Sequence, residues 1–253
     1  MSDSIADVME PAPGEPSKKS KGDLGVRTVS AVVMLVVAIG AFWAGGWIWT
    51  TFVASIGIGL LWEYWNLIGR IAQSNFTRIA CMVGGLVYFG LAIYLVIEMP
   101  RQQPDGRLVF MTILCSVIAT DVGAYFVGRK VGGPKIAPSI SPSKTWSGLV
   151  GGMLLSGACF ALIIVFVQVS ADLPVSAFVW SNLLIGSVIA VVAQAGDFFE
   201  SWLKRRAGVK DSGRLIPGHG GIFDRADGMI AVFFVSGIVL VASKILVSEA
   251  LLS

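Results

Sequence analysis

Apolar residues gather into seven long stretches, at about 28–45, 47–68, 76–98, 108–127, 146–169, 175–200 and 228–248, with polar segments between them. A helix of about 20 apolar residues crosses a hydrocarbon layer of roughly 30 Å. Inside that layer the backbone must satisfy its own hydrogen bonds, which selects helix over irregular chain. The pattern therefore predicts an all-α, polytopic integral membrane protein with about seven transmembrane helices. The first two runs are divided by Gly45-Gly46 alone, and long runs can hide broken or re-entrant helices, so nine is the upper bound.

The polar segments set the organisation. Residues 1–24 are rich in Pro, Ser, Asp, Glu and Lys, too polar to bury a core, and predict a disordered cytosolic leader reaching residue 26. No secretory cleavage site follows, because the first apolar run leads directly into further spans. Residues 27–253 then form one polytopic membrane unit with long polar loops at 128–145 and 201–227. Cytoplasmic loops collect Lys and Arg. With the N-terminus inside, only Arg101, Arg107 and Lys244 of the 19 basic residues fall on the far side, which places both long loops in the cytosol.

Composition agrees with this picture and excludes others. The chain is 55% hydrophobic and 14% charged, above the apolar share of about 45–50% in soluble proteins. Cys81, Cys115 and Cys159 lie apart in apolar runs without ligand spacing, so they read as packing residues. Gly148, Gly152 and Ser156 repeat at four-residue spacing, a face that lets another helix approach closely. Such glycine-rich faces also permit a homodimer. No motif points to nucleic acid.

Chemistry concentrates where charge meets the apolar spans. Asp121 and Asp197 stand inside such spans, near their cytosolic ends, where a carboxylate is costly and usually functional. Tyr125 shares a helical face with Asp121, and Gln194, Ser201 and Lys204 share one with Asp197. The segment 201–228, SWLKRRAGVKDSGRLIPGHGGIFDRADG, combines basic residues, glycines and acids. Attraction of anionic lipid explains the Lys and Arg. It does not explain the run around His219, Gly220 and Gly221, whose small residues free backbone N–H groups to approach phosphate oxygens. Nor does it explain Asp224 and Asp227 at the mouth of the next helix, since carboxylates from two helix ends, completed by phosphate oxygens, suit magnesium. In the other loop, Ser141, Ser143 and Thr145 offer hydroxyls and Lys144 a positive charge before a helix N-terminus; read alone, a helix cap beside a solvated lysine would look the same.

Residues 201–227 resemble the signature of the phosphatidate cytidylyltransferase (CDP-diacylglycerol synthase) family, through Ser201, Leu203, Lys204, Arg205, Lys210, Asp211, Gly213, Ile216, Pro217, His219, Gly220, Gly221, Asp224, Arg225 and Asp227. The resemblance continues in Gln194-x-Gly196-Asp197, in SPSKTW at 141–146 and in Asp121-x-Gly123-Ala124-Tyr125, and so covers the C-terminal half. The chain departs from the family pattern at Ser143, Ser147 and Gly228.

The resemblance implies an inner-membrane enzyme of bacterial type. It would join CTP to phosphatidic acid drawn from the membrane lipids, giving CDP-diacylglycerol and pyrophosphate. It also implies Mg2+ and a second cation, K+ or another divalent ion. By that analogy Asp197 and Asp224 ligate the metal. Lys204, Arg205, Lys210 and Arg225 hold phosphates, while Lys144 and Ser141 close the site from the other loop. Asp211 and Asp227 bind the metal or hold a neighbouring arginine. His219 donates to phosphate or supports its turn, since the reaction needs little proton transfer. A transporter is the alternative reading of intramembrane carboxylates, but these cluster toward one side of the membrane instead of its midplane.

Overall fold

The computed structural model describes residues 21–102, 105–172, 179–216 and 220–252. The leader through residue 20, and Pro217, Gly218 and His219, lie outside the described residues. Among the described residues there are seven α-helices: α1 (Lys21–Ala44), α2 (Gly46–Ile71), α3 (Asn75–Glu98), α4 (Gly106–Val131), α5 (Trp146–Ser170), α6 (Val179–Arg206) and α7 (Phe223–Leu252). Six of them, α2 to α7, are long and apolar enough to cross a membrane, and α1 contributes a shorter apolar stretch, Thr28–Ala44. The protein is an all-α, multi-pass membrane protein.

Local chemistry explains where helices stop. Gly45 and Gly46 adopt φ values of 63° and 51°, a region that side chains disfavour, and this turns α1 back into α2. Ser74 caps α3 by accepting a hydrogen bond from the Thr77 N–H at 3.1 Å. Thr145 caps α5 in the same way, from the Gly148 N–H at 3.1 Å.

The polar segments are less loop-like than their composition predicts. Residues 128–131 finish α4, 201–206 finish α6, and 223–227 begin α7, so the true linkers are 132–145 and 207–222. A helix continues through charged residues here because its apolar face remains packed: Leu203 and Phe223 are both buried. The first linker folds into an antiparallel pair, β1 (Lys135–Ala137) and β2 (Ser141–Thr145), with Lys135 opposite Thr145. Helix α1 begins at Lys21, inside the stretch expected to be disordered.

Successive helices alternate direction, so the 72–74, 132–145 and 207–222 linkers emerge at one end of the bundle. At the opposite end Arg101 donates to the carbonyl of Gly46 at 3.4 Å and pairs with Glu98 at 2.8 Å. Large side chains pack the middle: Phe110 stacks between Phe42 and Phe233, with centroids 5.3 Å away on each side. The small-residue stripe on α5 lets its neighbours approach closely. A Cβ on Gly148 would lie 3.0 Å from the Ala124 carbonyl oxygen, and one on Gly152 would lie 3.0 Å from that of Thr120. Ser156 instead donates to the Gly186 carbonyl on α6 at 2.7 Å. α5 thus binds α4 and α6 together and sets the wall on which the site is built.

Candidate functional site

Asp197, Glu200 and Asp227 bring carboxylate oxygens to within 4.8 Å of one another, the cluster that forms among the described residues. Two helices supply it. Asp197 and Glu200 are three residues apart on one face of α6, and Asp227 lies just past the first turn of α7. Gly196 permits the approach: a Cβ there would lie 2.4 Å from the Ala231 Cβ and 2.6 Å from the Asp227 carbonyl oxygen. Asp197 precedes the end of α6 by about two and a half turns, and Asp121 the end of α4 by slightly more, so both lie deeper than the sequence predicts.

Basic side chains reach these acids from the first linker and from α6 itself. Lys144 on β2 forms an ion pair with Asp197, and its ammonium also lies 4.8 Å from the centre of the Phe198 ring. Lys204 bridges Glu200 and Asp224, at 2.5 and 2.7 Å. It therefore holds carboxylates in this structure, where the sequence assigns it to phosphate. Arg205 reaches the Ile140 carbonyl at 3.4 Å and ties α6 to the β1–β2 turn.

Asp224 takes a different place from the one expected of a partner of Asp197. Its Oδ1 accepts from Lys204, and its Oδ2 accepts from the N–H groups of Ser212 and Gly221, both at 2.9 Å. These bonds hold the two ends of the 207–222 linker beside α7. The acids that gather with Asp197 are instead Glu200 and Asp227. Glu200, absent from the sequence reading, is 1% exposed, and its Oε1 has no hydrogen-bond partner among the described residues. Three carboxylates, one of them with a buried, unsatisfied oxygen, form an all-oxygen donor set of the kind hard divalent cations take, so the residues present fit a metal ion.

One polar cavity opens on the cluster at Asp197, and a second lies along the 207–222 linker, where Ser212 bonds Asp224. The first, of about 430 Å³, lies between α4, α6 and the β1–β2 pair, lined by Asp121, Tyr125, Arg129, Lys144, Gln194 and Asp197. Gln194 is 7% exposed, and its Oε1 has no partner among the described residues. Arg129 donates to the Tyr125 hydroxyl at 2.6 Å, and Tyr125 shares a face of α4 with Asp121, four residues before it. The other cavity, of about 700 Å³, is lined by Asn66, Arg70, Lys210, Asp211, Ser212 and Arg214. Thr145 spends its hydroxyl on capping α5, and Ser141 sits at the start of β2 opposite Ala137. Gly220 has φ 86°, and a Cβ there would lie 3.1 Å from Asp224 Oδ2. Arg225 makes its own interactions beside Asp224 on α7.

Glu63 on α2 also escaped the sequence reading. It is 1% exposed and accepts hydrogen bonds from the N–H groups of Ile222 at 3.0 Å and Phe223 at 2.9 Å. The signal was available, since a lone acid in LLWEYW is as costly as Asp197 in its own span.

Residues 70–243 match the family model described as the cytidylyltransferase family. The chain belongs to this family. It is 32% identical over 251 residues to the phosphatidate cytidylyltransferase of Brucella suis biovar 1 (strain 1330), covering 83% of this chain and 90% of that protein. The phosphatidate cytidylyltransferase of Rickettsia prowazekii (strain Madrid E) is 31% identical over 229 residues, covering 88% and 95%. That of Rickettsia typhi (strain ATCC VR-144 / Wilmington) is 33% identical over 226 residues, covering 85% and 92%. The resemblance carried by residues 201–227 thus extends well into the N-terminal half, where the residues alone showed apolar spans. In this cytidylyltransferase-family chain, Asp197 and Asp227 both fall within the matched region, as do the linkers that carry Lys144 and Lys210.

Proposed function

We propose that the protein transfers the cytidylyl group of CTP to phosphatidic acid, giving CDP-diacylglycerol and pyrophosphate at the cytosolic face of a bacterial inner membrane. The observation that carries this reading is the convergence of the first linker with α6 and α7 on one carboxylate cluster: Lys144 pairs with Asp197, and Lys204 joins Glu200 to Asp224, which in turn holds Ser212 and Gly221 of the second linker. The relatives, each named phosphatidate cytidylyltransferase, support the choice of substrates.

The reaction forms a bond from a phosphatidate oxygen to the CTP α-phosphorus and breaks the bond from that phosphorus to the β-phosphate oxygen. Pyrophosphate leaves with the electron pair. The lipid phosphate is already anionic near neutral pH, so it attacks without a strong base, and catalysis is mainly positioning and charge neutralisation. Asp197, Glu200 and Asp227 would hold Mg2+, with Asp224 supporting them through Lys204. Bound there, the ion would offset phosphate charge and stabilise the leaving group. Lys144 and Arg129 in the smaller cavity, and Arg70, Lys210 and Arg214 in the larger, supply cationic contacts to the phosphates of the two substrates.

A lipid acceptor also suits the surroundings. An apolar cavity of about 510 Å³ between α3, α6 and α7, lined by Tyr88, Phe199, Ala231 and Phe234, meets the cluster at Gly196. Acyl chains resting there would leave the phosphate beside Asp197. Purified protein in detergent, given radiolabelled CTP, phosphatidic acid and Mg2+, should yield labelled lipid and pyrophosphate. Absence of labelled lipid across added K+ and other divalent ions would sink the proposal; a K+ requirement would identify the second cation.

A further inference from the structure

We propose that Glu63 is a positioning residue for this site: a carboxylate on α2 that clamps both ends of the 207–222 linker and thereby sets the basic groups of the larger cavity. The inference rests on the proposed reaction and adds a residue outside the 70–243 family match. At the far end of the linker, Glu63 Oε1 accepts from Ile222 N–H at 3.0 Å and Oε2 from Phe223 N–H at 2.9 Å. These N–H groups belong to the start of α7, where a helix leaves donors unsatisfied and favours negative charge. At the near end, the Ser212 hydroxyl lies 3.0 Å from both Glu63 Oε2 and Asp224 Oδ2. One buried side chain therefore joins the two ends of the linker, and through Ser212 it also meets the Asp224–Lys204–Glu200 chain.

The surrounding glycines match this role. A Cβ on Gly213 would lie 2.2 Å from Glu63 Oε1, and one on Gly221 would lie 2.5 Å from Oε2, so both positions admit the carboxylate by lacking a side chain. Asn66 and Arg70 follow Glu63 at three and seven residues, on the same face of α2, and line the cavity with Lys210, Asp211 and Arg214. Releasing the clamp would move the linker's charges relative to this wall while leaving the carboxylate cluster of α6 and α7 in place.

The test uses the full chain in detergent. Lys210 and Arg214 are exposed, so trypsin cleavage after them reports the state of the linker. Glu63→Gln keeps the side-chain size but turns an NH2 group toward N–H donors. It should lower kcat at saturating CTP and phosphatidic acid by about 10- to 100-fold, the loss that a displacement near 1 Å produces. Cleavage after Lys210 and Arg214 should quicken several-fold, with cleavage elsewhere unchanged. Glu63→Asp, whose shorter arm cannot span both ends, should fail to restore either property. Gly213→Ala presses on an intact Glu63 from the linker side and should give the same pair of effects. If Glu63→Gln cannot be purified, Gly213→Ala decides alone.

Wild-type kcat and wild-type cleavage in either variant would overturn the proposal. So would a loss of kcat with unchanged cleavage. Failure of the wild type to make lipid from CTP would count against the proposed reaction, whereas the cleavage comparison would still judge the clamp.

Discussion

Lys144 and Asp197 form an ion pair although 53 residues separate them in sequence. The contact joins the hairpin after α4 to the middle of α6, and it places a cation beside the carboxylate cluster. Both partners keep contact with solvent, at 19% and 32% exposure, so water compensates much of the charge left when either is removed.

On its proposed role, Lys144→Ala is expected to lower turnover by about 100-fold or more, since it would remove a cationic contact to the substrate phosphates. Thermal melting in detergent should change little. Turnover within about threefold of wild type, far below the factors typical of such a contact, would place Lys144 outside the site.

Metal binding separates the acids by role. A chelator should stop turnover, and added Mg2+ should restore it. With Mn2+ as a spectroscopic probe, Asp197→Asn, Glu200→Gln and Asp227→Asn should each abolish tight binding. Asp224→Asn should also stop turnover but keep Mn2+ affinity within about the 10- to 100-fold range of a supporting contact. An Asp224→Asn loss as complete as that of Asp197→Asn would make Asp224 a direct ligand.

Glycine packing makes a stability prediction. A Cβ on Gly151 would lie 2.4 Å from the Val127 Cβ and 2.8 Å from the Gly123 carbonyl oxygen. Gly151→Ala should cost about 1–3 kcal/mol through overpacking between α4 and α5. Gly84→Ala is the control, because nothing lies within 4 Å of its added carbon. Melting midpoints of the two variants compare them directly, and equal midpoints would contradict the packing account.

Orientation can be read by labelling single cysteines in a chain whose Cys81, Cys115 and Cys159 have been replaced. A membrane-impermeant maleimide applied to intact spheroplasts should label Gln102→Cys and should reach Gly133→Cys only after lysis. The reverse result would put the site on the outer face.

Much of the architecture was legible from the chain. The seven apolar stretches correspond to α1–α7 with ends shifted by a few residues, because the length needed to cross the apolar layer and the demand for internal hydrogen bonds leave little choice. The Gly45-Gly46 boundary and the small face of α5 were equally visible, since each depends on the absence of a side chain. The helical extensions past residues 128 and 201 were not, because charged composition hides a helix whose remaining face stays packed.

The site divides along a similar line. Asp197 could be named from sequence because an acid inside an apolar span is costly and carries its own signal, while Lys144, Asp224 and the basic residues of 201–227 took their roles from the family resemblance. Their partners could not be named. Whether Asp197 meets Asp224 or Asp227 depends on how closely α7 approaches α6, which Gly196 controls, and on the rotation of α7, which determines which of its acids faces inward. Glu63 acquires its meaning only when α2 lies against the start of α7, 159 residues further along the chain. Local composition determined which groups are expensive to bury; only the packing of distant helices decided which of them compensate one another, because that energy depends on distances the linear order does not contain.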